Sequence, residues 1–208
     1  MTKDQFMRAA GISSSLAEKW YPHIVEAMNT YGIDTPKRQA HFIGQIGTES
    51  GGFQSVQESL NYSVAGLAIF GSRLTAAQRE QLGRKPGEKA LSPERQEAIA
   101  NIVYGGRYGN NLNGDGWKYR GRGLKQITFK ANYEECGKAL GLNLVDSPDL
   151  LLQDKYAAMS AGWFWKANGC NQFADAGDVN GLTRRINGGL NGLQDRIDRT
   201  KRAEGVLL

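Results

Sequence analysis

The sequence predicts a mainly α fold with at most a very small β element, and three observations carry that expectation. Apolar residues recur three or four positions apart over long stretches. Capping residues and glycines punctuate those stretches, and runs alternating between apolar and polar residues are almost absent. A chain of 208 residues that is 40% apolar and 23% charged can also bury a sizeable core, which excludes a disordered or fibrous protein.

Taken in order, Leu16, Trp20, Ile24, Ala27, Met28 and Tyr31 form one apolar helix face that stops at Gly32. Thr35-Pro36 supplies a cap and a first-turn proline for a helix that carries Ala40, Ile43, Gly44 and Gly47 inward and ends at Ser50-Gly51-Gly52. The stretch 71–97 is charged, poor in aromatics and broken by Gly83, Pro86-Gly87 and Pro93. It is read as part of a small helical insertion lobe at 66–106, with 1–65 and 107–208 forming the main body; a charged surface hairpin of the same domain is the alternative. Within the lobe, Ser92-Pro93 opens a helix bearing Ala98, Ile99, Ile102 and Val103. A glycine- and asparagine-rich loop over 105–116 follows, of a length that is usually functional or mobile. Further helices are expected at about 131–140, 154–168, 179–187 and 194–204. Leu124–Thr128 is the best strand candidate. Trp163 and Trp165 fit a buried helix, and Cys136 and Cys170 fit buried small apolar groups.

Several chemistries are excluded by what the chain lacks. No run of 18 apolar residues is present, and the first residues include an acid and no apolar block, so neither a membrane span nor a secretory signal is expected. The two cysteines lie 34 positions apart without Cys-x-x-Cys spacing, which suits synthesis in a reducing cytoplasm and leaves their pairing open. His23 and His41 are the only histidines and neither belongs to His-Glu-x-x-His, so no zinc site is expected. No Gly-x-x-x-x-Gly-Lys-Ser/Thr loop holds phosphate, and no cofactor is expected. Arg120, Arg122 and Lys125 are too few for a nucleic-acid face. The net charge of +5 favours an anionic partner.

Two carboxylates stand out by context. Glu49 ends the helix opened by Thr35-Pro36, and no other charge occurs from Ile43 to Thr48, so it is expected to be shielded, which raises a carboxyl pKa toward that of a general acid. Glu58 follows nine residues later in a polar stretch, Gln57-Glu58-Ser59-Leu60-Asn61-Tyr62, expected to be wetter and to keep it ionised. One protonated and one ionised carboxyl is the arrangement of glycoside hydrolysis; surface acids are the alternative at both positions. Trp117-Lys118-Tyr119-Arg120-Gly121-Arg122-Gly123-Leu124-Lys125-Gln126-Ile127-Thr128 with Asn132-Tyr133 offers ring faces and neutral hydrogen-bonding groups suited to sugars. Arg184-Arg185-Ile186-Asn187-Gly188-Gly189 reads as a helix end with a glycine cap. His41 is expected behind a site or in the core rather than as a base.

Taken together, three motifs resemble glycoside hydrolase family 19, the chitinase-like family of plant chitinases and many phage endolysins. They are His41 to Phe53, Tyr119 to Thr128 with Asn132-Tyr133, and Ile186-Asn187-Gly188-Gly189, which bracket about residues 38–200. The resemblance implies a lysozyme/chitinase-like fold of two lobes beside a substrate cleft, with both ends of the chain in the catalytic body. It implies Glu49 as general acid and Glu58 as general base, with carboxyls roughly 6.5–9.5 Å apart for an inverting reaction. Thr128 would hold the attacking water. Gln126, Asn132, Tyr119 and Tyr62 would contact substrate, while Asn187, Arg196 and His41 would stand behind the carboxylates. The chain as a whole resembles a compact, monomeric endolysin of a Gram-negative host, which cleaves peptidoglycan glycan strands in the periplasm after a separate holin opens the membrane. A lytic transglycosylase using Glu49 alone, a chitinase and a non-catalytic glycan binder are the alternatives.

Overall fold

The computed structural model describes residues 1–208. Eleven helices follow one another: α1 (Lys3–Ala10), α2 (Ser14–Tyr31), α3 (Pro36–Glu49), α4 (Ala76–Leu82), α5 (Pro93–Tyr104), α6 (Asp115–Lys118), α7 (Lys130–Leu140), α8 (Asp154–Ala167), α9 (Cys170–Asp175), α10 (Val179–Asn187) and α11 (Leu193–Leu207). Short 3-10 segments cover Gly66–Arg73 and Pro148–Leu152. The β content is limited to isolated bridge positions, among them the pair Ser63 and Arg84, with no strand.

The helix ends obey local chemistry. Thr2, Ser13, Thr35, Thr75 and Ser92 each accept from the backbone N–H three residues on, satisfying an otherwise orphaned donor. Gly32, after α2, turns left-handed at φ 70° and donates to Met28 O. The expected strand at Leu124–Thr128 is instead a turn. Gly123 and Gln126 adopt φ of 90° and 67°, and Gln126 N–H donates back to Gly123 O at 3.2 Å, which no extended strand permits.

The chain forms two compact units. The first comprises 1–56, 122–126 and 149–208 and holds α1–α3 and α8–α11. Its core gathers Phe6, Trp20, Ile24, Phe42, Ile43 and Trp165. α3 is its axis, with every residue from Ala40 to Gly47 buried. The neutral run Ile43–Thr48 is therefore a consequence of enclosure, since a charge there would be desolvated. α11 lies against α3 at very short range. A Cβ on Gly44 would fall 2.3 Å from Thr200 Oγ1 and 2.9 Å from its backbone nitrogen, so only glycine fits.

The second unit comprises 57–121 and 127–148 and holds α4–α7. Its core is Leu60, Leu67, Leu74, Leu91, Ile99, Ala100 and Val103, with Tyr62, Phe70, Tyr104 and Trp117 packed on it. The division thus differs from the expected lobe at 66–106. Leu60 and Trp117 flank that range yet share its apolar cluster, so covering the cluster draws 57–65 and 107–121 into the same unit. The rings of Tyr119 and Tyr133 meet at 5.4 Å, tilted by 57°, in this unit, fixing the segment after α6 to α7.

Candidate active site

Glu49 is the last residue of α3, in the first unit, and its side chain is 13% exposed. Arg196 of α11 reaches it: Nη2 donates to Glu49 Oε1 at 2.7 Å. The same guanidinium donates through Nη1 to Gln45 Oε1 at 2.6 Å and through Nε to Asn191 O at 3.1 Å. Gln45 Nε2 in turn donates to Thr183 Oγ1 at 3.2 Å. A buried polar line therefore ties α3, α11 and α10 behind one carboxylate, with each buried member partnered. The close seat of α11 over Gly44 is what brings Arg196 within reach. Beside it, Asp195 accepts from Thr48 Oγ1 at 2.7 Å and Arg199 Nε at 2.8 Å. Burial pushes the Asp195 carboxyl upward, but these two donors outweigh it and hold it below the usual range. His41 is 1% exposed, with Nε2 3.3 Å from Glu204 Oε1. Burial pushes its imidazole down, and the charge of Glu204 opposes that only in part.

Glu58 belongs to the second unit. Its Oε1 accepts a short hydrogen bond from Tyr104 Oη, and its Oε2 accepts from the Gly121 N–H at 2.9 Å. Glu58 N–H donates back to Gly121 O at 2.9 Å, so side chain and backbone are fixed by one residue. Burial, then the charge of Glu58, pushes both the Tyr104 and Tyr62 phenols up, keeping them protonated donors. Ring contacts run from Tyr62 to Phe70 at 5.3 Å and from Tyr104 to Phe129 at 5.4 Å. The surroundings of Glu58 are thus half-buried and aromatic, not the wet polar stretch its neighbours predict. Tyr62 is near Glu58 in sequence, but Tyr104 arrives from α5, Phe70 from the 3-10 segment and Phe129 from just before α7, which adjacency in sequence does not reveal.

The remaining candidates are distributed unevenly. Tyr119 is 1% exposed and donates to Val145 O at 2.8 Å. It is a core residue, not a surface for a sugar, because its ring closes the contact with Tyr133. Gln126 Nε2 donates to Gly123 O at 3.0 Å within its turn. Thr128 lies before α7, where its carbonyl accepts from Asn132 Nδ2 at 2.8 Å. Asn132 is exposed. Asn187 is exposed at the end of α10 and is not among the hydrogen-bond partners of Glu49 or Arg196. Cys136 and Cys170 are free and buried in different units, with burial pushing both thiols up to about 12. Gln45, Thr183 and Tyr104 were not singled out by sequence. Gln45 alone carried a signal, as a lone amide one helical turn before Glu49 on an apolar face.

Comparison with known proteins sharpens this picture. The family profile for class I chitinases matches residues 94–187. A glycosyl hydrolase family 19 domain-containing protein of Haemophilus influenzae is 40% identical over 200 residues, covering 89% of this chain and 92% of the relative. A crystal structure of a bacterial family 19 chitinase is 25% identical at a TM-score of 0.59, covering 99% of this chain and 94% of its own. Chitinase C from Streptomyces griseus shares the fold at a TM-score of 0.61 and 20% identity, over 99% of this chain and 76% of its own.

Proposed function

The chain belongs to glycoside hydrolase family 19, and on that premise we propose that it is an endolysin hydrolysing the β-1,4 glycosidic bonds of bacterial peptidoglycan. It is a glycoside hydrolase of the helical, lysozyme-like kind; the wall polymer and the lytic role are the proposed part.

The observation that carries the reading is that both carboxylates are held, by opposite means. Glu49 is pinned through one oxygen by a buried guanidinium, and Glu58 through both oxygens by a phenol and a backbone amide. In the proposed reaction Glu49 carries the proton on Oε2, since Arg196 occupies Oε1, and delivers it to the glycosidic oxygen as the C1–O bond breaks. Water attacks C1 from the opposite face and Glu58 takes its proton, inverting the anomeric configuration. Glu49 ends ionised and Glu58 protonated, and solvent exchange restores both. Thr128 is assigned to orient that water, and Tyr62, Gln126 and Asn132 to meet the sugar. The net charge of +5 supports an anionic wall as the target.

A chitinase is the second reading, favoured by the similarity to chitinases. Fragment masses from purified peptidoglycan and from chitin decide between them, and NMR of the first product gives its anomer. An inverted anomer from peptidoglycan, with Glu58→Gln lowering turnover by about two orders of magnitude or more, is the expected result. An anhydro-sugar end with near-normal Glu58→Gln turnover would overturn it in favour of a transglycosylase.

A further inference from the structure

Lys125 shares the first unit with Glu49 and sits in the turn from Gly123 to Gln126. That turn is fixed on both sides. Gly123 N–H donates to Val56 O at 2.8 Å, and a Cβ at Gly123 would lie 2.6 Å from Ser160 Oγ. Leu124 is fully buried and donates to Ala157 O at 3.3 Å, while Gln126 turns its amide back on Gly123 O. Lys125 is therefore presented from a rigid support, and its Nζ lies 4.5 Å from the centroid of the Phe164 ring.

No carboxylate lies within 4.0 Å of this ammonium, in contrast to Lys3, Lys19, Lys85, Lys138 and Lys155, each of which has one. Burial pushes its pKa down, Glu49 counteracts this, and Arg196 adds to it. Arg196 spends three of its five N–H donors on Glu49, Gln45 and Asn191 and is only 3% exposed, so it is poorly placed to meet a ligand. Glu49 acts on Lys125 but is already engaged by Arg196, so the ammonium has no ion-pair partner of its own. A half-buried ammonium without an anion is unfavourable by itself and becomes favourable when an anion arrives.

We propose that Lys125 is a specificity-determining residue that binds a carboxylate of the glycan, so that strands containing muramic acid are preferred over uncharged N-acetylglucosamine polymers. This rests on the peptidoglycan reading above. Muramic acid carries a lactyl ether whose carboxyl is free in peptide-free strands. In peptide-bearing strands that carboxyl is an amide, and the free carboxylates belong to the stem peptide. Lysine suits either source, being a compact point charge with three rotatable donors and no fixed fork to satisfy.

The test compares wild type, Lys125→Met and Lys125→Arg on three substrates: a neutral N-acetylglucosamine hexamer, peptide-free glycan strands and intact peptidoglycan. Where the hexamer is not cleaved, its inhibition constant replaces its kcat/KM. Lys125→Met should lower the preference for a carboxylated strand over the hexamer about tenfold, chiefly through KM, and Lys125→Arg should largely restore it. Loss on peptide-free strands assigns the lactyl carboxylate; loss confined to intact peptidoglycan assigns the stem peptide. An equal fall on all three substrates with a displaced pH–rate profile overturns the proposal and makes Lys125 a modulator of Glu49. No change on either carboxylated substrate also overturns it. Wild type that turns over neither muramyl substrate overturns the peptidoglycan reading itself, before any variant is compared.

Discussion

Glu58 takes its orientation from two donors that respond differently to mutation. The Gly121 N–H is backbone and survives any side-chain change, whereas the Tyr104 hydroxyl can be removed alone. Tyr104→Phe keeps the ring contact with Phe129 and deletes only the charged hydrogen bond. It should lower kcat about tenfold and cost at most about 1.5–3 kcal/mol of stability, the worth of a hydrogen bond to a charged group, with the fold retained. Stopped assays with circular dichroism on the same sample would check this, and a normal kcat would show that Gly121 positions Glu58 unaided. Tyr104 lies 46 residues from Glu58, so nothing local in the sequence pairs them.

Between elements, the seat of α11 on α3 decides whether Arg196 reaches Glu49. Gly44→Ala places a methyl inside Thr200, and backbone lies within 3.0 Å, so the helices must separate. The expected cost is about 1–3 kcal/mol in urea unfolding, from overpacking, together with a loss of turnover as Arg196 retreats. Unfolding midpoints and kcat measured on one preparation test both effects, and a stable, fully active Gly44→Ala protein would contradict the contact. The same helix pair carries His41, faced by Glu204 from α11 and influenced by Lys37 and Asp175. Its folded pKa lies below the ordinary value of about 6.5, so the unfolded chain binds that proton more readily. Its contribution is therefore complete above about pH 6.5 and is lost as pH falls toward the folded value. Urea midpoints should drop between about pH 7.5 and 5.5, and His41→Gln should flatten that slope.

For the molecule as a whole, a net charge of +5 should make binding to isolated cell walls weaken as salt rises, because exposed charges are screened beyond about 8 Å at physiological ionic strength. No helix is long and apolar enough to cross a membrane. An endolysin that depends on a holin, as the resemblance implies for this chain, should lyse intact bacteria only when a permeabilising partner is co-expressed, and prompt lysis without one would contradict that expectation. The short α1, α4, α6 and α9 carry too little periodicity to stand out. The positions of α2, α3, α5, α7, α8, α10 and α11 and the enclosed face of α3 were legible in the sequence because spacing and capping are local chemistry: Thr35, Ser92 and Gly32 mark ends that their neighbours alone determine. So were Glu49 and Arg196 as separate candidates, through motifs read against a family. What only the tertiary structure decided lies between distant segments. It placed Arg196 on Glu49 across 147 positions, set Tyr104 on Glu58, closed Tyr119 into a core and extended the second unit beyond 66–106. Each of these outcomes depends on which buried surfaces meet, and burial is a property of the packed chain, not of any window along it.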